Sequence, residues 1–158
     1  MRRIPVLAIA LVLALAVVHG GSAAPVPTTF RIAIGIDPDT LDPAQTTTTT
    51  AANVLDYVVE TLTTMDSEGK TQPLLAESWT VSTDGKAITF KLRRNVRFHD
   101  GTPLTAQAVK WNLDRVLDPK VRVPIRAPYV PISRVEVVDP LTVRLVLKDP
   151  TAYLVAAM

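Results

Sequence analysis

The sequence predicts a mixed α/β fold, α+β in its local arrangement. Three observations carry that expectation: two stretches of alternating apolar and polar residues that double back across turn dipeptides, two helical stripes, and one short run near the amino end that is apolar on both faces.

Met1, Arg2 and Arg3 are followed by an apolar run from Ile4 to Val18 and then by small residues through Ala24. That order is the layout of a secretory signal peptide, and the run falls short of the roughly 20 residues that span a bilayer. Residues 1–23 are therefore read as a leader. Gly21 and Ala23 suit the positions before the scissile bond, which places cleavage after Ala23. A lipid anchor needs a cysteine behind the leader, and the sequence contains none. The expectation is a free periplasmic protein with no membrane anchor of its own and no disulfides.

Of 17 basic residues, Arg2 and Arg3 leave with the leader, so 15 remain against 15 acidic ones. No basic excess is left to neutralise phosphates, which excludes nucleic acid as an expected partner. The run Lys86 to Arg97 holds five basic residues and no acid. Those residues alternate with apolar ones, which reads as a solvated strand face rather than an anion site. The remaining 135 residues suit one ordinary domain.

Phe30 to Ile36 (FRIAIGI) reads as a buried strand that Gly35 and Asp37-Pro38 stop. A second Asp-Pro pair, Asp42-Pro43, marks Asp37 to Pro43 as a turn-rich loop, and the five threonines Thr46 to Thr50 extend it. With Thr50 as a possible cap, Ala51 to Leu62 places Val54, Leu55, Val58 and Leu62 on one helical stripe. Asp66 to Gly69 is a turn. The first hairpin joins Trp79–Ser82 to Ala87–Leu92 across Thr83-Asp84-Gly85, with Ile88, Phe90 and Leu92 on one face. Thr105 opens a helix through Leu117, with Val109, Leu113 and Val116 inward. Asp118 to Pro131 carries four prolines and reads as an ordered, irregular loop. The second hairpin joins Ser133–Val138 to Thr142–Leu147 across Asp139-Pro140. Tyr153 to Met158 reads as the opening of an apolar helix that stops without a cap, as in a truncated chain whose remaining packing partners lie elsewhere. Such a chain is expected to fold poorly alone and to bind no ligand with useful affinity.

Catalytic constellations are hard to assemble from these residues. Beyond the leader His99 is the sole histidine, in the turn Phe98-His99-Asp100-Gly101, with no further ligands at metal-binding spacing. The same scarcity weighs against Ser-His-Asp and Cys-His catalysis. Ser67-Glu68-Gly69-Lys70 spaces serine and lysine as penicillin-interacting enzymes do, but in a turn rather than at a helix start. No carboxylate pair sits where a raised pKa is expected, which leaves glycosidase chemistry a weak rival. The chain reads as a binding protein without catalytic residues or cofactor. A periplasmic hydrolase and a structural or sensory domain are the alternatives.

One set of segments is more specific. Leu75-Ala76-Glu77-Ser78-Trp79, Ser82-Thr83-Asp84-Gly85-Lys86, Thr89-Phe90-Lys91-Leu92-Arg93 and the run Val96 to Ala106 (VRFHDGTPLTA) occur in that order. Together with Leu41-Asp42-Pro43, Tyr57 to Leu62 and Val135 to Asp139, they resemble the family 5 solute-binding proteins, the dipeptide, oligopeptide and nickel-binding components of ABC importers. The resemblance covers nearly all of the chain behind the leader. It implies the N-terminal part of a two-lobed periplasmic binding protein-like fold with an extra small domain. Residues 24–50 would be the first strand and ligand-facing loop of lobe one, and residues 51–158 the extra subdomain, truncated at its end. It implies capture of a small solute, most readily a peptide and alternatively a sugar or a nickel complex, for delivery to ABC permease and ATPase subunits. Thr47, Thr48, Thr49 and Tyr129 become the candidate ligand-binding residues. Peptide binders of this type often place an acid near the first loop, where this chain has threonines, which leaves sugars or neutral solutes open. A further departure is Ala108, where the family usually has an acid that completes a capping box with Thr105.

Overall fold

The computed structural model describes residue 29 and residues 31–158; the leader and Phe30 lie outside the described residues. The chain divides into two units, and Ile34–Met158 is the one that carries the regular structure.

That unit is built on a four-stranded antiparallel sheet. The strands are β3 (Ala76–Val81), β4 (Ala87–Leu92), β5 (Ile132–Asp139) and β6 (Thr142–Leu147), ordered β3-β4-β6-β5. Both expected hairpins are present with nearly the expected limits. The first closes at Asp84-Gly85, where Gly85 takes φ +69°, a conformation that strains any other L-residue. Period-2 alternation turns Ile88, Phe90 and Leu92 to one face, and register sets Ile88 beside Leu145 and Phe90 beside Val143. All five are essentially inaccessible to solvent. The opposite face is polar and wet. Lys91 meets Glu77 at 3.1 Å, and Arg134 meets Glu136 at 2.7 Å. Within β4 the basic run is represented by Lys91, which stands on a solvated face paired with Glu77 of β3.

Helix α2 (Ala106–Leu117) packs on β5 and β6. Thr105 caps it, with its hydroxyl accepting from the Ala108 amide at 3.2 Å. The Ala106 amide donates to Pro140 O, and Lys110 Nζ donates to Val135 O, fixing the helix along the sheet. Ala106, Leu113 and Val116 are buried. At its far end Arg126 donates to the carbonyl of Val116, left open by the helix end, and to those of Asp118 and Val121 in the segment beyond it. One arginine therefore orders the first half of the proline-rich segment, whose second half contains a 3-10 turn at Ala127–Tyr129.

Four expectations need correction. Residues 31–36 form no strand, and Ile34 and Ile36 are exposed, because no ladder partner exists for them among the described residues. The first helix, α1, spans Thr49–Leu55 rather than Ala51–Leu62, and its cap is Thr48 rather than Thr50. It ends where Val58, Val59 and Thr61 bring β-branched side chains that a helix accommodates poorly, and Val58 is exposed instead of buried. The turn at Asp66–Gly69 belongs to a whole hairpin, β1 (Thr63–Met65) paired with β2 (Thr71–Pro73). Last, the closing segment finds its partners inside the chain. Ala152–Val155 is a 3-10 turn, and Leu154, Val155 and Met158 join the main core. The Leu62 amide donates to Met158 O at 2.7 Å, and buried Thr63 Oγ1 donates to Val155 O at 2.6 Å.

Phe90 is the largest fully buried side chain, so Phe90→Ala should lower unfolding free energy by about 3–5 kcal/mol. Thr89→Ala, one residue along on the wet face, should change it by less than about 0.5 kcal/mol. Urea unfolding of both variants checks the contrast.

A candidate ligand-facing loop and its cleft

The segment between Asp37 and α1 has almost no regular backbone pairing, so side chains hold it in shape. Asp42 Oδ1 accepts from the Ala44 amide at 3.0 Å, and Asp42 O accepts from the Gln45 amide at 3.0 Å, closing a tight turn over Pro43. Thr46 is buried despite its hydroxyl, because Oγ1 donates to Asp39 Oδ1 at 2.8 Å. Thr48 Oγ1 donates to the same oxygen at 2.9 Å and accepts from the Ala51 amide to cap α1. These two hydroxyls hold the Asp39 carboxyl below its ordinary value.

Three ties join this loop to the rest of the unit. The Arg115 guanidinium of α2 reaches both carboxylate oxygens of Asp42, at 2.6 Å to Oδ1, and holds that carboxyl below its ordinary 3.8. Gln45 Nε2 donates to Arg122 O at 2.8 Å. Ala44 packs in a small apolar cluster with Val116 and Val123.

Beside the loop lies a mostly apolar cleft of about 350 Å³. Leu62, Val109, Leu113 and Tyr129 form its walls, and Asp42 and Arg115 stand at one side. The Tyr129 hydroxyl donates to Ala157 O at 3.0 Å, and burial pushes its pKa up, so the phenol stays neutral. Of the four sequence-predicted ligand residues, only Tyr129 lines this cleft. Thr47, Thr48 and Thr49 sit exposed at the start of α1, and among the described residues only the Thr48 hydroxyl of the three finds a partner, Asp39. The structure brings the threonine loop to the cleft through Asp42 and Arg115, which sequence reading did not single out. Asp42 reads as turn chemistry and as part of the Leu41-Asp42-Pro43 motif, without its partner, and Arg115 lies 73 residues away on a polar helix face. His99 is exposed in a turn closed by Asp100, which accepts from the Thr102 amide and hydroxyl.

The described residues thus form a small antiparallel sheet backed by one helix, with a side-chain-stitched loop bordering an apolar cleft. The model for bacterial extracellular solute-binding proteins, family 5 (middle), matches residues 70–158, more than half of the chain, and the chain belongs to that family. This is the family that the motifs around Asp84-Gly85 and His99-Asp100-Gly101 resemble. The glutathione-binding protein GsiB of Escherichia coli is 41% identical over 119 residues, which are 75% of this chain and 23% of that protein. The binding protein AgaA from A. tumefaciens, solved with agropinic acid, superposes with a TM-score of 0.71 at 39% identity, covering 75% of this chain and 24% of its own. Haemophilus influenzae OppA, solved with the peptide RPPGFSPFR, gives 0.70 at 31% identity, covering 77% and 27%. The chain thus spans about a quarter of the length of the relatives it matches.

Because Arg115 depresses the Asp42 carboxyl, their pairing stabilises the loop above pH 3.8 and is lost as the pH falls through the lower folded value. A carbon-detected titration of Asp42 should give a midpoint below 3.8, and Arg115→Met should raise it.

Proposed function

We propose that this chain is part of the substrate-binding component of an ABC importer, which captures a small solute without chemistry and delivers it to the membrane permease. The observation that carries this reading is the family match across the sheet and α2, the elements that position the loop and cleft. A peptide or peptide-like solute is favoured, since relatives named for glutathione and a peptide-bound relative align over three quarters of the chain. A second reading, an opine-type solute, is supported by 39% identity to the agropinic acid binder.

In this reading the segment from Asp37 to Thr50 is the ligand-facing loop of lobe one, and residues 51–158 are the small subdomain beside it. Thr47 and Thr49 offer free hydroxyls, Thr48 contributes through its backbone, and Tyr129 presents a neutral ring to the cleft. The second wall of the site comes from another lobe, since closure between lobes is what buries a ligand. The aspartates of lowered pKa also speak against general-acid chemistry, which requires a carboxyl pushed up.

Calorimetry on the protein expressed from its complete reading frame should show saturable one-to-one binding of glutathione or a short peptide, with the ligand recovered unchanged. Turnover of the ligand, or silence across glutathione, di- and oligopeptides, agropinic acid and a nickel–histidine complex, would remove the proposal.

Export to the periplasm with cleavage after Ala23 should leave Ala24 as the first residue in mass spectra of the secreted protein. An intact Met1 on protein from the cytoplasm would count against it.

A further inference from the structure

We infer that Arg115 is a positioning residue: through the Asp42 carboxylate it sets the place of the Thr46–Thr49 loop against the cleft. Its bearing on ligand capture rests on the reading given under Proposed function.

The inference starts from how little else holds the loop. Between Asp37 and α1 no strand ladder forms, and the ties to the remaining unit are the Arg115–Asp42 pair, the Gln45–Arg122 hydrogen bond and the Ala44 methyl. The pair also stands at the head of a chain of contacts. Asp42 uses Oδ1 and its carbonyl to close the turn at Ala44 and Gln45. The chain leaving that turn carries Thr46 back to Asp39, and Asp39 in turn holds the Thr48 hydroxyl that caps α1. A guanidinium on a rigid helix therefore communicates, bond by bond, with the start of α1.

An exposed ion pair ordinarily contributes little, because each side chain loses freedom and solvent screens the charge. Here the geometry differs. One guanidinium nitrogen, Nη2, meets both Asp42 carboxylate oxygens, and both side chains are about two-thirds buried, with 28% and 34% of their surface exposed. The guanidinium is moreover set on a helix that Ala106, Leu113 and Val116 already anchor. Since α2 keeps those anchors, loss of Arg115 should loosen the loop and leave the sheet intact.

Amide hydrogen exchange on the ligand-free protein from its complete reading frame tests this. In Arg115→Met the amides of Ala44, Gln45, Thr48 and Ala51 should exchange about tenfold faster, while those of β4 and β6 keep their protection. Arg115→Lys, which keeps the charge but replaces the planar guanidinium with a compact ammonium on a flexible stem, should fall between. Asp42→Asn gives an independent reading of the same joint should Arg115→Met not fold. Loop exchange unchanged within about twofold, or acceleration spread equally over the sheet, would overturn the inference. A second readout uses the protein from its complete reading frame. Arg115→Met should bind glutathione, or the panel member that wild type binds, about tenfold more weakly, whereas Ile88→Val, a core variant of comparable melting loss, should bind normally. If wild type binds no panel member, the importer reading falls, and the exchange data still decide the role of Arg115.

Discussion

Strand β4 sits inside the sheet, between β3 and β6, and the unit depends on that one placement. Its inward residues Ile88, Phe90 and Leu92 are closed off from solvent, and no other strand buries its alternate residues so completely. Burial of this kind stabilises by about 25 cal/mol per Å² of apolar surface, which makes three adjoining large side chains a dominant local contribution. The elements around the sheet serve to keep that face dry. Helix α2 lies along β5 and β6, and Leu154, Val155 and Met158 fold back to close the margin. The outer face can then be polar without penalty, which is why arginine and lysine alternate with core residues along β4 and β6.

A sheet of short strands needs many turns, and the chain makes them with one device. Asp42, Asp66, Asp84, Asp100, Asp118 and Asp139 each accept a hydrogen bond from the amide two residues on. An ionised carboxylate is the better acceptor, so the turn and the charge support each other. The consequence reaches function. Five of these six, Asp42, Asp66, Asp84, Asp100 and Asp139, are held below the ordinary carboxyl pKa by hydrogen bonds that favour the charged form, which makes them poor proton donors near neutrality.

Sequence reading succeeded where local chemistry and tertiary demand agree. Asp84-Gly85 and Asp139-Pro140 mark turns, the flanking runs alternate, and Thr105 caps a helix whose stripe is regular, so both hairpins and α2 come out within a few residues. It failed where a segment's fate is decided by distant partners. Val54, Leu55, Val58 and Leu62 fit a helical stripe, yet Leu62 is claimed by Met158, Leu74 and Ala76 across backbone hydrogen bonds, and the helix stops at Leu55. Thr63-Thr64-Met65 is too short and too polar to advertise a strand. In Tyr153 to Met158 only Leu154, Val155 and Met158 face the core, a spacing too short to read as a helical stripe. The site was less visible still. Thr46 to Thr50 could be recognised as a loop, but the roles divide among near-identical residues: Thr46 is buried on Asp39, Thr48 is a cap, and Thr47 and Thr49 remain exposed.

This division explains why the most family-specific residues say least about the solute. Asp84-Gly85, Gly101 and Thr105 are fixed by backbone geometry, by positive φ and by capping, requirements that any member of the fold must meet whatever it binds. Positions free of such duties can vary with the ligand, and in this chain they are few: the unengaged hydroxyls of Thr47 and Thr49, and the ring of Tyr129 against the cleft. Neither hydroxyl carries charge, so on the proposed reading the loop's part is to hold a defined shape. A loop that recognises by shape gains most from being fixed before the ligand arrives, because ordering it on binding would subtract from affinity. The Asp42–Arg115 pair and the Asp39 hydrogen bonds supply that order in advance, on a helix whose own position is set by the buried face of the sheet.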